Sequence, residues 1–570
     1  MRPAVTRRVG ASVAILGLLA TFAVTPVLAA AISVNSLADT AADDGVCTLR
    51  EAITAANTDC ASGVSAGECA AGAGADTITF GVAGTITPAS PLAALSTDLS
   101  ISGAGVITVS GASASRVFTI AAGTVALSGL TITGGVVGSD GGGISNDGTL
   151  TVTNSTISGS AGFFLGGGIL NNGTLTVMNS TISGNAAGDG GGIVNAGTLT
   201  VTNSTISGNA AGDGGGIVND GTLTVTTSTI SGNTADVGGG IVNAGTLTVT
   251  NSTISGNLTT GAVGHGGGIW SNGTLTVANS TISGNHAFTS SGGIENHGTL
   301  SLTNSTISGN SAGNGGGITA VGTETLVNAI VAGNTATIGI HPDIVDAAET
   351  ITTSVVGIPV GKTLADILVP AGLAANGGPT QTIALALVAG NPAIDLGTGA
   401  TCAAAPVNAL DQRGTPRPAA CDIGAYEAQP PTVAAHANVS VPATSAAGAV
   451  VTYTAPAGTD EQGGVAGVAC LPASGSTFPP GATTVTCTAT DAVGHTASGT
   501  SQVLVGAFGP ATTTPSPTTS PTPSNALLPN TAAVTGTNEM PGLPLIHGLL
   551  GVLGFAALRR GRAHSGLRRN

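Results

Sequence analysis

The stretch GGGIVNAGTLTVTNSTISGN, residues 190–209, recurs with small changes seven more times in the 570-residue chain. The copies align on Ile144, Ile169, Ile193, Ile217, Ile241, Ile269, Ile294 and Ile318, spaced 25, 24, 24, 24, 28, 25 and 24 residues apart. A fixed period in this range predicts a solenoid in which each repeat is one coil, unable to bury its apolar face alone. Thr198, Leu199, Thr200, Val201 and Thr202 alternate with the period of two of a strand. The leucine at 150, 175, 199, 223, 247, 275 and 300 recurs unchanged in seven of the eight copies, so it points inward. The residue after the aligned isoleucine is Ser145, Leu170, Val194, Val218, Val242, Trp270, Glu295 or Thr319, a variability that predicts a solvent-facing side chain. Three short strands per coil follow, on GGI, TLTVT and STIS, with glycines supplying tight corners. Eight coils at the strand spacing make a rod of about 38 Å.

No copy of the repeat contains Lys or Arg, and charged residues are 7% of the chain against about 25% in an average globular protein. Of the 13 Lys and Arg, most sit at the two ends, leaving the body acidic and the formal net charge at −15. Such a surface repels phosphate backbones, so nucleic acid and anionic lipid are excluded as partners.

Residues 1–30 place Arg2, Arg7 and Arg8 before an apolar run and small residues, which reads as a secretory signal peptide. Export agrees with the cysteine spacing, which suggests the pairs Cys60 with Cys69, Cys402 with Cys421 and Cys470 with Cys487, leaving Cys47 as a buried structural thiol. At the other end an apolar run of about sixteen residues precedes Arg559, Arg560 and Arg562, short for a span but followed by a basic stop, so the membrane enters only through this segment.

The GGGI coils resemble right-handed parallel β-helix repeats of bacterial surface proteins, including polymorphic outer-membrane proteins. CTLREAITAANTD, residues 47–59, resembles the CSLREA motif at the N-terminus of such proteins. NGGPTQT (376–382), NPAID (391–395), DQRG (411–414) and CDIGAYE (421–427) resemble the choice-of-anchor-type segment that closes them. Both segments make physical sense as caps, because the last coils of a solenoid otherwise expose an apolar cross-section and open strand edges. Leu49, Ile53 and Ala56 share one helical face that can plug an end.

From residue 430 to 505, short alternating runs between Pro and Gly turns predict a small β-sandwich. It resembles the hyalin-repeat (HYR) family, an Ig-like module linked to adhesion, with Tyr453 in its core and Asp460 and Asp491 in turns. A Pro/Thr/Ser stalk follows. Then Leu528, Pro529, Asn530, Thr531 and Ala532, ahead of the apolar run, resemble a sortase sorting signal, which implies a sortase-like transpeptidase as processing partner.

The resulting organisation is signal peptide 1–30, N-terminal cap 31–75, parallel β-helix 76–370 with regular repeats at 141–334, closing segment 371–428, Ig-like domain 429–506, stalk 507–527 and sorting signal 528–570. The fold class is all-β, a right-handed parallel β-helix of about 24 residues per coil followed by a small Ig-like sandwich.

Hydrolases need two carboxylates, one of them protonated, and lyases need a base with a cation, yet the repeats carry no cation and their acids Asp140, Asp189 and Asp213 recur like turn residues. No catalytic residue, metal site or cofactor is assigned. The asparagines of SGN read as structural stacks. The edge between SGN and GGG, where copies differ in length and side chain, is the candidate binding surface, with Phe163, Phe164, His265, Trp270, His286 and Phe288 on or beside it. Its expected ligand is a glycan or another surface protein. The alternatives are a carbohydrate-active enzyme and, from the outward Thr-x-Thr face, an ice-binding protein. The expected location is extracellular, anchored to the wall or membrane at the bacterial surface.

Overall fold

The computed structural model describes residues 29–339, 341–345, 348–462 and 467–509. Nearly all of the expected signal peptide, most of the stalk, and the whole sorting signal with Leu528, Pro529, Asn530, Thr531 and Ala532 lie outside them. Among the described residues no helix is long and apolar enough to cross a membrane.

Between residues 31 and 356 the chain winds as a parallel solenoid. Thr198–Thr202 pairs residue for residue with Thr174–Met178 on one side and Thr222–Thr226 on the other. The GGI strands form a ten-stranded ladder from Phe118–Ile120 to Ile344–Val345 among the described residues. Ile193, Leu199, Val201 and Ile206 are fully buried, so one coil contributes four stacked aliphatic side chains, each stabilising by about 1.5–3 kcal/mol. The looser stretches Leu99–Ser110 and Thr124–Thr133 join the same ladder ahead of the regular repeats.

One sequence expectation about the coil needs correction. The residue after the aligned isoleucine does not simply face solvent: Ser145, Leu170, Val194 and Glu295 are buried and the others half-buried. Val194, Val218, Val242, Trp270 and Thr319 each lie across their own corner glycine; a Cβ on Gly190 would sit 2.4 Å from Val194 Cγ2. The corners use both glycine and asparagine. SGN turns on Gly208 at φ +63°, but the turn between TLTVT and STIS uses asparagine, Asn203 at φ +48° and Asn251 at φ +51°, with Thr227 accepted in one coil. Asparagine is the non-glycine residue that best tolerates this left-handed region.

The helix Leu49–Thr58 starts at a capping box, Thr48 with Glu51, and buries Leu49, Ala52, Ile53, Ala55 and Ala56 against the first coils. The cysteine pairing there differs from the expectation. Cys47 is bonded to Cys69, and Cys60 is a free, exposed thiol. Cys47 and Cys60 flank opposite ends of a helix roughly 15 Å long. The following loop returns to the helix start through Glu68, which accepts the Asp44 and Gly45 N–H groups, and through Asn35, which donates to Gly67 O. That return brings Cys69 to Cys47 and leaves Cys60 behind. The pairs Cys402 with Cys421 and Cys470 with Cys487 form as expected.

The closing segment does not plug the far end of the rod; it runs along its flank. The Gln412 side chain reaches Ser252 O, Thr253 Oγ1 and Thr281 Oγ1 at 3.1, 3.0 and 2.6 Å. Asn279 donates to Leu410 O, Asn328 to Thr398 O, and Thr306 Oγ1 accepts the Ala425 N–H. Under this strap Thr253, Thr281 and Thr306 are buried, whereas their equivalents Thr156, Thr181, Thr205 and Thr229 stay partly open. At the end itself, Ile351 and Val356 occupy inward columns but remain 40% and 37% exposed. The C-terminal strands form a four-stranded sheet facing two short ladders around Phe478, Val485, Cys487, Val503 and Val505. Tyr453 packs on the rim of that core, its ring 6.5 Å from Phe478.

Candidate functional site

The SGN asparagines of the rod are tied into a continuous column of hydrogen bonds. Asn209 accepts from Asn185 N and Nδ2 and donates its own Nδ2 to Asn233 Oδ1 and Ile182 O, every contact 3.0–3.1 Å. The column runs from Asn185 through Asn209, Asn233, Asn257, Asn285 and Asn310 to Asn334 and ends on Asp343, whose carboxyl burial pushes up. A second asparagine column, Asn146, Asn171, Asn195, Asn219 and Asn243, runs up the corner after the GGI strand; sequence reasoning missed it. These groups hold the corners and face no solvent.

The edge between SGN and GGG is different. Phe163 and Phe164 are 68% and 58% exposed and pack edge to face at 4.7 Å; Phe288 is 59% exposed. His286 belongs to the outer column of this edge, stacked on Leu258, with its Nδ1 2.9 Å from Ser311 Oγ. His265 lies in the neighbouring column and is not brought to His286. Its Nδ1 meets Glu295 Oε2 at 3.0 Å, and His297 Nε2 meets the other oxygen at 2.9 Å. The Trp270 ring leans on His297, centroid to centroid 5.5 Å.

Trp270, His265, Glu295 and His297 therefore form one cluster across two coils, centred on a buried carboxylate between two half-exposed imidazoles. Glu295, in the strand Ile294–Asn296, and His297, one residue past its end, were not singled out as site residues in the sequence. Each imidazole uses one nitrogen on Glu295 and keeps the other for a hydrogen-bonding ligand, beside an indole face suited to apolar contact.

The recurring acids Asp189 and Asp213 stack as neighbouring rungs, and burial, with Asp189 and Asp236 nearby, raises the Asp213 carboxyl. Asp140 accepts the Leu165 N–H, as a corner residue does. Asp491 Oδ1 takes the N–H groups of Val493, Gly494 and His495 in a turn. Among the described residues no three His, Cys, Asp or Glu side chains gather into a metal-holding group.

A second concentration of charge lies in the closing segment. Arg417 is enclosed and paired with Glu427 at 2.8 Å, while Arg413 lies 3.6 Å over the Tyr426 ring and pairs with Asp411. Burial pushes Asp422 up to about 6; burial and the neighbouring Asp422 push Glu427 up to about 8. Arg413 also reaches Glu461 of the C-terminal domain at 3.1 Å, so this network ties the domain to the strap.

With the cores and the disulfide of that domain in view, comparison with known families places it. Residues 426–505 match the HYR domain. Residues 168–336 match the right handed beta helix region, which covers most of the regular coils. No curated protein and no solved structure matches the chain. The HYR domain thus begins within the last motif of the strap, at Tyr426, the ring under Arg413.

Proposed function

We propose that the chain is an exported, surface-displayed binding protein of adhesin type, in which the coils are scaffold and the irregular edge meets a glycan or another surface protein. The observation that carries this reading is that the coils leave their repeat along one edge, which exposes Phe163 with Phe164 in one coil and Phe288 in another, with the Trp270 cluster beside it. The HYR domain, the three disulfides and the expected N-terminal signal support display outside the cell. A sortase-like transpeptidase acting at residues 528–532 is the proposed route of anchoring.

The chain acts by binding and not by turnover. The test is a glycan array and a polysaccharide panel read for both retention and cleavage. Retention that falls in Trp270→Ala and in the Phe163→Ala/Phe164→Ala pair supports the reading; release of new reducing ends from any polysaccharide overturns it.

One observation favours a second reading. Thr198, Thr222, Thr246, Thr274 and Thr299 pair in unbroken register, as do Thr200, Thr224, Thr248 and Thr276, giving a flat hydroxyl array on the outward face. Met178 and Ala278 interrupt its third column. Inhibition of ice recrystallisation by the purified chain is the measurement for an ice-binding surface; no inhibition removes it.

A further inference from the structure

Between Arg50 and Lys362 the chain has a single Lys or Arg, Arg116. It lies at a pocket of about 410 Å³ lined by Leu92, Thr119, Val137, Gly138 and Ser139 among others. That volume falls within the range of small-ligand sites. The pocket belongs to the same irregular edge as the exposed phenylalanines: Val136 and Val137 pair with Ala161 and Gly162, and Phe163 N–H donates to Ser139 O at 2.8 Å. Phe163 and Phe164 stand on the next coil.

The guanidinium is held but not neutralised. Nε donates to Gly141 O at 2.9 Å, one terminal nitrogen to Thr119 Oγ1 at 3.3 Å, and the other to Asp140 O. These take three of its five N–H donors. No described carboxylate lies at ion-pair distance from it; Asp140 and Asp147 act only from further off, and the Asp140 carboxylate is engaged by Leu165. Burial pushes the guanidinium down from its ordinary range. A half-buried cation without a counter-ion is costly to keep, and a neutral side chain could serve the same three acceptors. The remaining donors, two hydroxyls and aliphatic walls match an anionic group carried on a small hydroxylated ring.

We propose that this pocket binds the carboxylate of an acidic sugar, a uronate residue, on Arg116, with Thr119 and Ser139 facing its hydroxyls. The assignment rests on the edge being a glycan-binding surface and names the class of sugar. Two variants separate charge from space. Arg116→Met removes the cation. Gly138→Phe fills the pocket without touching Arg116, at a position where an added Cβ meets nothing within 4 Å.

The full chain and both variants, matched by thermal unfolding, are titrated with glucuronate, glucose and acetate by saturation-transfer NMR and calorimetry. Glucuronate is expected to bind, glucose and acetate to bind at least about tenfold more weakly, and each variant to lose about tenfold or more of the glucuronate affinity, as for a lost charged hydrogen bond. Equal binding of glucose overturns the role of the charge, equal binding of acetate overturns the sugar, and unchanged binding in both variants overturns the site. A chain that retains neutral glycans on an array but ignores glucuronate loses the uronate assignment and keeps the edge reading; one that retains no glycan loses both.

Discussion

At the scale of single residues, stability is concentrated in side chains that neighbouring coils share. Asn209 is fully buried and makes four hydrogen bonds to two adjacent coils and to Ile182 O. Asn209→Ala leaves partners on both sides without a bond, and a loss of about 3 kcal/mol in denaturant unfolding is expected. Asn209→Asp is expected to cost more, since it puts a carboxylate oxygen where Nδ2 now donates. The thiols give a sharper check: maleimide labelling of the folded, unreduced chain should modify one cysteine, and Cys60→Ser should abolish it. Cys69→Ser should lower the stability of the N-terminal cap by about 3 kcal/mol, the value for a loop of this size. Spacing along the chain was enough for Cys402 with Cys421 and Cys470 with Cys487, but not for Cys47 with Cys69, because it does not show that the loop after the helix returns to the helix start.

At the scale of elements, the coil was legible and the strap was not. Period, strand alternation and the recurring leucine of TLTVT carried enough information to place Leu199, Val201 and Ile206 in the core. The path of residues 371–428 was hidden because the surface it covers has almost the same sequence as the uncovered coils; Thr281 and Thr205 occupy equivalent sites in STIS and differ only in what lies over them. Gln412→Ala is therefore expected to release the strap, with faster proteolysis between 376 and 425 and coil circular dichroism unchanged. The strap should also respond to pH. Asp422 and Glu427 are raised above their ordinary values of 3.8 and 4.5, so the folded state holds a proton that the unfolded chain gives up. That contribution is present in full below about pH 4 and is lost as pH rises through 6 to 8. Amide exchange in residues 411–428 is expected to be slower relative to the coils at pH 5 than at pH 8.5 after correction for intrinsic rates, and Glu427→Gln to flatten the difference. The edge cluster was half legible: variation singled out Trp270 and His265, but only stacking of two coils reveals that Glu295 joins His265 to His297.

At the scale of the whole molecule, each coil bonds mainly to the one before and the one after, so the rod should tolerate loss of an entire repeat. Removing residues 194–217, a full 24-residue period between Ile193 and Val218, keeps the strands and both asparagine columns in register. The shortened chain is expected to fold with the same β signature and a similar melting temperature, whereas removal of half a period should give insoluble protein. The strap adds something that nearest-neighbour stacking lacks. It fastens to coils at Thr253, Thr281, Thr306 and Asn328 before the chain enters the HYR domain. A pull applied beyond Val505 therefore reaches the rod sideways, over several coils loaded together in shear, instead of peeling the last coil off its neighbour one bond at a time.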